Sequence, residues 1–161
     1  MRFLNNTKGF TLVEIVVAIG IIAILASVVF FNLQDGKKKA RDVERRSDLA
    51  NIELAVRGYR DLYSTSTLPA ADGGELFSGS NLESKIGTFL VNQITDPLNV
   101  DEYQYYYDSA YTCNGSSRAV ILALTMEGSN GGNYADVCGA STEQLGISVT
   151  PTVNTYIVIL K

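Results

Sequence analysis

The sequence predicts an α+β protein: a long amino-terminal helix, half membrane-spanning and half amphipathic, packed on a small antiparallel sheet of three to four strands. Three observations carry this reading. An apolar run from Phe10 to Phe31 holds one formally charged side chain, Glu14. Beyond it, apolar residues recur at helical spacing as far as residue 63. After residue 100, three short segments rich in aromatic and β-branched residues are separated by turn-forming residues.

The first nine residues, MRFLNNTKG, are short and polar and are basic at Arg2 and Lys8, like the leading region of an export signal. The apolar run that follows is too long for a cleaved secretory signal, although Ala23-Ile24-Leu25-Ala26-Ser27 mimics a small-residue cleavage site. Its 22 residues would rise about 33 Å as a helix, the thickness of a bilayer's hydrocarbon core. The basic amino end predicts that this end stays in the cytoplasm, against the opposing pull of Lys37, Lys38 and Lys39 on the other flank. A plain signal anchor would account for all of this except Glu14. A carboxylate at that depth is costly unless it lies among lipid headgroups or meets a positive group.

Helical periodicity continues past the apolar run. Leu49, Ile52, Val56, Tyr59 and Tyr63 form a stripe, with Ala50 and Leu54 alongside, and Ser64-Thr65-Ser66-Thr67 and Pro69 end it. From Phe10 to Tyr63 a continuous helix would measure about 80 Å, more than one small domain can cover. Between the two halves lies KKKARDVERRSD. Its mixed charges read either as a solvated helix face or as partners for neighbouring subunits.

Residues 64–100 read as a linking segment with a short helix from about Leu82 to Val91 and a turn at Asp96-Pro97-Leu98-Asn99. The strand candidates are Tyr103–Tyr107, Ala119–Met126 and Thr155–Leu160, with one sheet face packed on the helix stripe. Tyrosines 103, 105, 106, 107 and 111 read as sheet residues packed on a helix, or else as an exposed aromatic patch. Cys113 and Cys138, lying beyond a membrane segment, read as one disulfide in an oxidising space; the alternative is two reduced, buried thiols. Asn114-Gly115-Ser116 matches a glycosylation acceptor, a three-residue pattern frequent by chance.

Charge narrows the function classes. Residues 36–60 carry eight basic and four acidic side chains, whereas from Leu62 onward there are three basic and ten acidic. An acidic head argues against general binding to nucleic acid. The chain has no histidine, no nucleotide-binding loop and no nucleophile–base pair in a plausible arrangement, so an enzyme is not expected.

The stretch GFTLVEIVVAIGIIAILA resembles the amino terminus of type IV pilins and type II secretion pseudopilins, the class III signal peptide proteins. The resemblance implies a leader of residues 1–9 with Lys8 as its basic residue, and cleavage between Gly9 and Phe10 by a membrane-bound prepilin peptidase. Phe10 would become the methylated amino terminus. Glu14 matches the family glutamate that pairs with the terminal amine of a neighbouring subunit. The implied division is a leader (1–9), a transmembrane and filament-core helix (10–35), an amphipathic helix running into the head (36–63) and a globular head (64–161). Many members have a proline near the end of the apolar run; none stands near Phe30 or Phe31.

The same resemblance implies a structural, non-catalytic subunit. It would be a single-pass protein of the cytoplasmic membrane with its amino terminus inside, and later part of an extracellular or periplasmic filament. Its partners would be identical or related subunits, the prepilin peptidase, and an inner-membrane assembly platform driven by a cytoplasmic ATPase. Asp96-Pro97 followed by Tyr103 and Tyr105 is loosely similar to a segment of the major secretion pseudopilin, which binds calcium in a carboxy-terminal loop. Candidate calcium ligands are Asp96, Asn99, Asp101 and Glu102, or Glu127, Asn130, Asn133 and Asp136, neither set with a calcium-specific spacing. The cysteine pair near the carboxy terminus resembles the disulfide-bounded region of type IV pilins. That favours a pilus subunit, with a secretion pseudopilin or a minor tip pilin acting in adhesion or DNA uptake as the alternatives.

Overall fold

No proline precedes Pro69, and good helix formers fill the polar stretch after the apolar run, so nothing in the sequence breaks the first helix. The computed structural model describes residues 9–65, 67–71, 75–100, 102–128, 131–138, 151–152 and 154–160. Helix α1 runs from Leu12 to Tyr63. It ends where Ser64 turns left-handed, at φ +48°, and the Thr65 amide donates to the Arg60 carbonyl 3.3 Å away. That backbone bond satisfies a carbonyl the helix end would otherwise orphan.

The chain divides into two compact units between Lys37 and Lys38. The described part of the first is residues 9–37, almost all of it α1. Its apolar side chains point in every direction: Ile15, Val16, Val17, Ile19, Ile21 and Ile22 are all exposed. A helix that is apolar all round needs lipid or other helices about it. Among the described residues, α1 is the one helix long and apolar enough to cross a membrane.

The second unit packs a four-stranded antiparallel sheet in the order β1 (Glu75–Leu76), β2 (Tyr105–Cys113), β3 (Ser116–Ala123) and β4 (Tyr156–Ile159). Between β1 and β2 lies α2 (Asn81–Ile86), continued by a 3-10 turn over Gly87–Phe89; α3 (Tyr134–Cys138) precedes β4. Ser80 caps α2 by accepting the Glu83 amide at 3.0 Å, and the Glu83 carboxylate accepts the Gly79 amide at 2.6 Å. The expected short helix is therefore present but closes at Ile86 rather than reaching Val91.

Both faces of the sheet are covered. On one, Leu49, Ile52 and Val56 of α1 meet Tyr105, Tyr107, Ile121 and Ala123. The stripe takes in Ala55 instead of Ala50 and Leu54, which are exposed, as is Tyr63. On the other face Tyr106, Val120, Leu122 and Ile157 form a second core with Tyr111, Cys113, Tyr134 and Cys138. Tyr105, Tyr106, Tyr107 and Tyr111 are all buried, so they make no exposed patch. Asn133 bonds to both backbone groups of Ile157: its amide nitrogen donates to the carbonyl at 3.0 Å and its oxygen accepts the amide at 2.7 Å.

β2 and β3 form a hairpin closed by Asn114 and Gly115, with Cys113 opposite Ser116. Both turn residues have positive φ, +52° and +70°, as a two-residue turn matching the strand twist requires. Asn-Gly is the sequence signature of that turn, and it extends the first expected strand to Cys113. β1 was not expected; its two residues pair with Tyr107 and Tyr106.

The register of β2 slips between Asp108 and Tyr111: Asp108 faces Val120 and Tyr111 faces Arg118. Three steps on β2 answer two on β3, so one residue is extra, a β-bulge. The bulge reverses the alternation of faces. Tyr105 and Tyr107 point to α1, yet odd-numbered Tyr111 and Cys113 lie on the opposite face. There Cys113 is bonded to Cys138, at a sequence separation of 25. Closing a loop of that length restricts the unfolded chain by about 3.5 kcal/mol in the chain-entropy account. Deleting Ala110 should straighten β2 and turn Cys113 towards α1. Thiol alkylation followed by mass spectrometry should then find both cysteines free; a retained disulfide would show that the bulge does not place Cys113.

Candidate assembly site

Two polar features of α1 lie in otherwise apolar surroundings, one at its start and one where it enters the head. At the start, Thr11 and Glu14 form a reciprocal cap. The Thr11 amide and hydroxyl each donate to Glu14 Oε2 at 2.9 Å, and the Glu14 amide donates to Thr11 Oγ1 at 3.3 Å. This is the Thr-x-x-Glu capping box, which satisfies two helix-end donors within the chain. Both described bonds to the carboxylate fall on Oε2. Gly9 and Phe10 precede the helix in non-helical, exposed backbone, and Phe10 is 83 % exposed. Among the described residues nothing lies within 4 Å of a Cβ placed at Gly9. Lys8 lies outside the described residues.

Within the head, the apolar stripe of α1 continues backwards from Leu49 to Arg45 and Asp42, at the same spacings of four and three, but with charged residues. Arg45 is fully buried. Its Nε and Nη2 donate to the two oxygens of Asp96 at 2.6 and 3.1 Å, a two-pronged pair. Its Nη1 donates to Asp42 at 2.8 Å and to Glu127 at 3.1 Å, and its guanidinium stacks over the Tyr103 ring at 4.9 Å. Arg41 donates to both oxygens of Glu127. Asp42 in turn accepts the amides of Glu127 and Gly128 at 2.9 and 2.8 Å. Two guanidiniums and three carboxylates thus tie α1 to the segments around residues 96 and 127.

Burial alone would weaken the Arg45 guanidinium's hold on its proton, but Asp96, Asp42 and Glu127 overcome this and push its pKa up. Arg41 holds the Glu127 carboxyl below the usual range, with burial opposing and Arg45 assisting. One turn on, burial pushes the Asp48 carboxyl up against the hydrogen bond it accepts from the Tyr105 hydroxyl at 2.8 Å.

This arrangement answers the calcium candidates. Asp96 is 4 % exposed, and besides Arg45 it accepts the Leu98 and Asn99 amides at 2.8 and 3.4 Å, so a cation already occupies both its oxygens. Glu127 is likewise committed to Arg41 and Arg45, and Asn133 to Ile157. Asp101 and Asn130 lie outside the described residues. Among the described residues no group of three histidine, cysteine or acidic side chains is placed to hold a metal ion. One carboxylate of each set, Asp96 in the first and Glu127 in the second, is held by a guanidinium. Sequence reading missed the Arg45 cluster; its trace was the helix stripe running on through residues 45 and 42.

Comparison with known proteins points to the same end of the chain. A family profile described as the prokaryotic N-terminal methylation motif matches residues 4–30. The type II secretion system core protein G of Escherichia coli (strain K12) is 43 % identical over 60 residues, 37 % of this chain and 41 % of that protein. Its namesake from Klebsiella michiganensis is 34 % identical over 107 residues, 66 % of this chain and 63 % of that protein. The type IV wide pilus major component PilA4 of Thermus thermophilus is 51 % identical over 39 residues, 24 % of this chain and 30 % of that protein. The similarity to core protein G thus spans from about a third to just under two thirds of those relatives' lengths. No solved structure matches significantly.

Replacing Arg45 by leucine would strand three carboxylates around an apolar side chain. Urea unfolding of the detergent-solubilised chain should show a loss of about 3–5 kcal/mol. The sign for Glu127 follows from its lowered pKa. Its stabilisation is complete above the ordinary carboxylate range and is lost as pH falls through the folded value; Asp48, shifted up, works in the opposite sense. In Glu127→Gln the fall in melting temperature on acidification should be shallower than in the native chain. A parallel fall would show that Glu127 does not carry this dependence.

Proposed function

We propose that this chain, a member of the pilin and pseudopilin family by its amino-terminal segment, is a filament subunit of the type II secretion kind. The observation that carries the reading is the set of relatives: of seven with significant similarity, six are named type II secretion system core protein G. They move the weight from a pilus subunit, which the cysteine pair had favoured, to a secretion pseudopilin. The pilus reading keeps one observation of its own, the likeness of 39 residues to the Thermus pilus component. Tyr105, Tyr106, Tyr107 and Tyr111, four of the five tyrosines that could have formed a tip-adhesin patch, are buried.

The chemistry follows from the amino-terminal geometry. A prepilin peptidase needs an extended, accessible bond, and the Gly9–Phe10 bond lies in exposed, non-helical backbone. Among the described residues nothing lies within 4 Å of a Cβ placed at Gly9, and in this reading the glycine serves the peptidase groove. Cleavage makes Phe10 the terminal ammonium, which after methylation keeps its positive charge. The Glu14 carboxylate of an adjacent subunit then meets that charge in an apolar setting, where an unpaired one would be strongly penalised. The Thr11–Glu14 cap holds the carboxylate at the helix start until the pair forms. Apolar helices pack in the core, acidic heads lie outside, and one repeated contact from subunit to subunit extends the fibre.

Mass spectrometry of the protein from its native cells should find a chain starting at methylated Phe10, with Cys113 joined to Cys138. Glu14→Val should be processed and remain in the membrane but fail to assemble. An intact leader in cells with active peptidase would overturn the processing step, and assembly of Glu14→Val at native levels would overturn the role of the carboxylate. Long sheared filaments would return the chain to the pilus reading; membrane-bound protein with short filaments dependent on the secretion apparatus supports the pseudopilin.

A further inference from the structure

A groove of about 460 Å³ runs along the head between α1 and the segment after α2, lined among others by Glu44, Asp48, Asn51, Leu54 and Val91. Its apolar rim is uncovered: Leu54 is 64 % and Val91 95 % exposed. Glu44 and Asp48 have no ion-pair partner among the described residues. Such a surface suits a segment that is cationic and partly apolar, and it repels anions.

The chain itself carries such a segment. Lys37, Lys38 and Lys39 are consecutive, exposed, and outside every ion pair among the described residues, with exposed Val43 one turn on. Along α1 they precede Glu44 by five to seven positions and Asp48 by nine to eleven. Side chains on one helix meet at three or four positions, so a chain's lysines do not serve its own groove. A second, parallel α1 displaced along its axis by roughly seven residues, about 10 Å, brings its lysines to these carboxylates.

We propose that the groove receives the Lys37–Lys39 segment of a second copy of this chain, in a parallel, axially staggered contact. The inference rests on the reading above only in requiring that copies lie side by side with their helices parallel. Donor segment and groove are different surfaces, so the contact is head-to-tail and repeats without closing. Each exposed ion pair is weak, and its main effect is on register rather than affinity. The same lysines, before assembly, sit at the end of the apolar segment where lipid phosphates are the competing partner.

The test uses the full chain in its native cells with the Cys113–Cys138 bond retained. Two differently tagged variants, Lys38→Cys and Glu44→Cys, are co-expressed and mildly oxidised. The expected product is a dimer carrying both tags, several-fold more abundant than either same-tag dimer. In parallel, Glu44→Lys should reduce filament yield several-fold, and Lys38→Glu added to it should restore the yield. Filaments in which the Lys38→Cys same-tag dimer dominates would show helices in register and overturn the stagger. Filaments without the mixed dimer, or Glu44→Lys filaments at native yield, would assign the lysines to lipid phosphate and overturn the contact alone. Processed protein with neither filament nor cross-link would overturn the assembly reading and this inference with it.

Discussion

A fully buried guanidinium has to be met by carboxylates, and Arg45 is met by three. This requirement organises the head. The apolar stripe of α1 gives the sheet a surface to pack on, but hydrophobic burial is non-directional and would tolerate sliding and rotation of the helix. The Arg45 fork to Asp96, with Asp42 holding the amides of Glu127 and Gly128, fixes which turn of the helix faces which loop. Desolvating so many charges contributes little net stability compared with a well-packed apolar set of the same volume. The gain lies in defining one arrangement, because any slip leaves a charge buried and unpaired.

The sheet is subject to a second constraint, that of parity. With both faces covered, each strand must send alternate side chains to two different cores. A regular β2 would carry Cys113 to the α1 side with Tyr105 and Tyr107. The single extra residue after Asp108 moves the remainder of the strand to the other set, where Cys138 waits at the end of α3. The local turn chemistry then cooperates: Asn114 and Gly115 reverse the chain immediately after the cysteine. One inserted residue thus couples the helix-side core to the disulfide-side core.

Much of this was legible in the sequence where the signal was local. The long helix, its stop near residue 63, and the cores of β2, β3 and β4 follow from periodicity and residue type. Glu14 stood out because a carboxylate in an apolar run needs a reason. The Arg45 cluster was hidden because its partners lie 51 and 82 residues away, a separation at which no spacing rule operates. The same separation hid the pairing of Asp96 with Arg45 behind its local role as a turn residue. β1 is invisible in its own two residues and exists only because β2 offers it hydrogen bonds. Asn114-Gly115 is different: its hairpin-turn signal is local and strong, and the same residues also begin a glycosylation pattern.

The two bonds from Asn133 to Ile157 have a consequence for a subunit that polymerises as proposed above. β4 is the outer strand of the sheet, and an outer strand offers unpaired amides and carbonyls to any passing chain. At the crowding of a growing fibre that would invite strand-to-strand accretion of heads, in competition with ordered growth through the helices. The Asn133 amide occupies the donor and acceptor of Ile157 as a neighbouring strand would. At the opposite border, β1 is only two residues long and too brief to template another strand. At Ile157 a side chain stands where a neighbouring strand would pair, and under the proposed function this lowers the competition that strand pairing offers to growth through the helices.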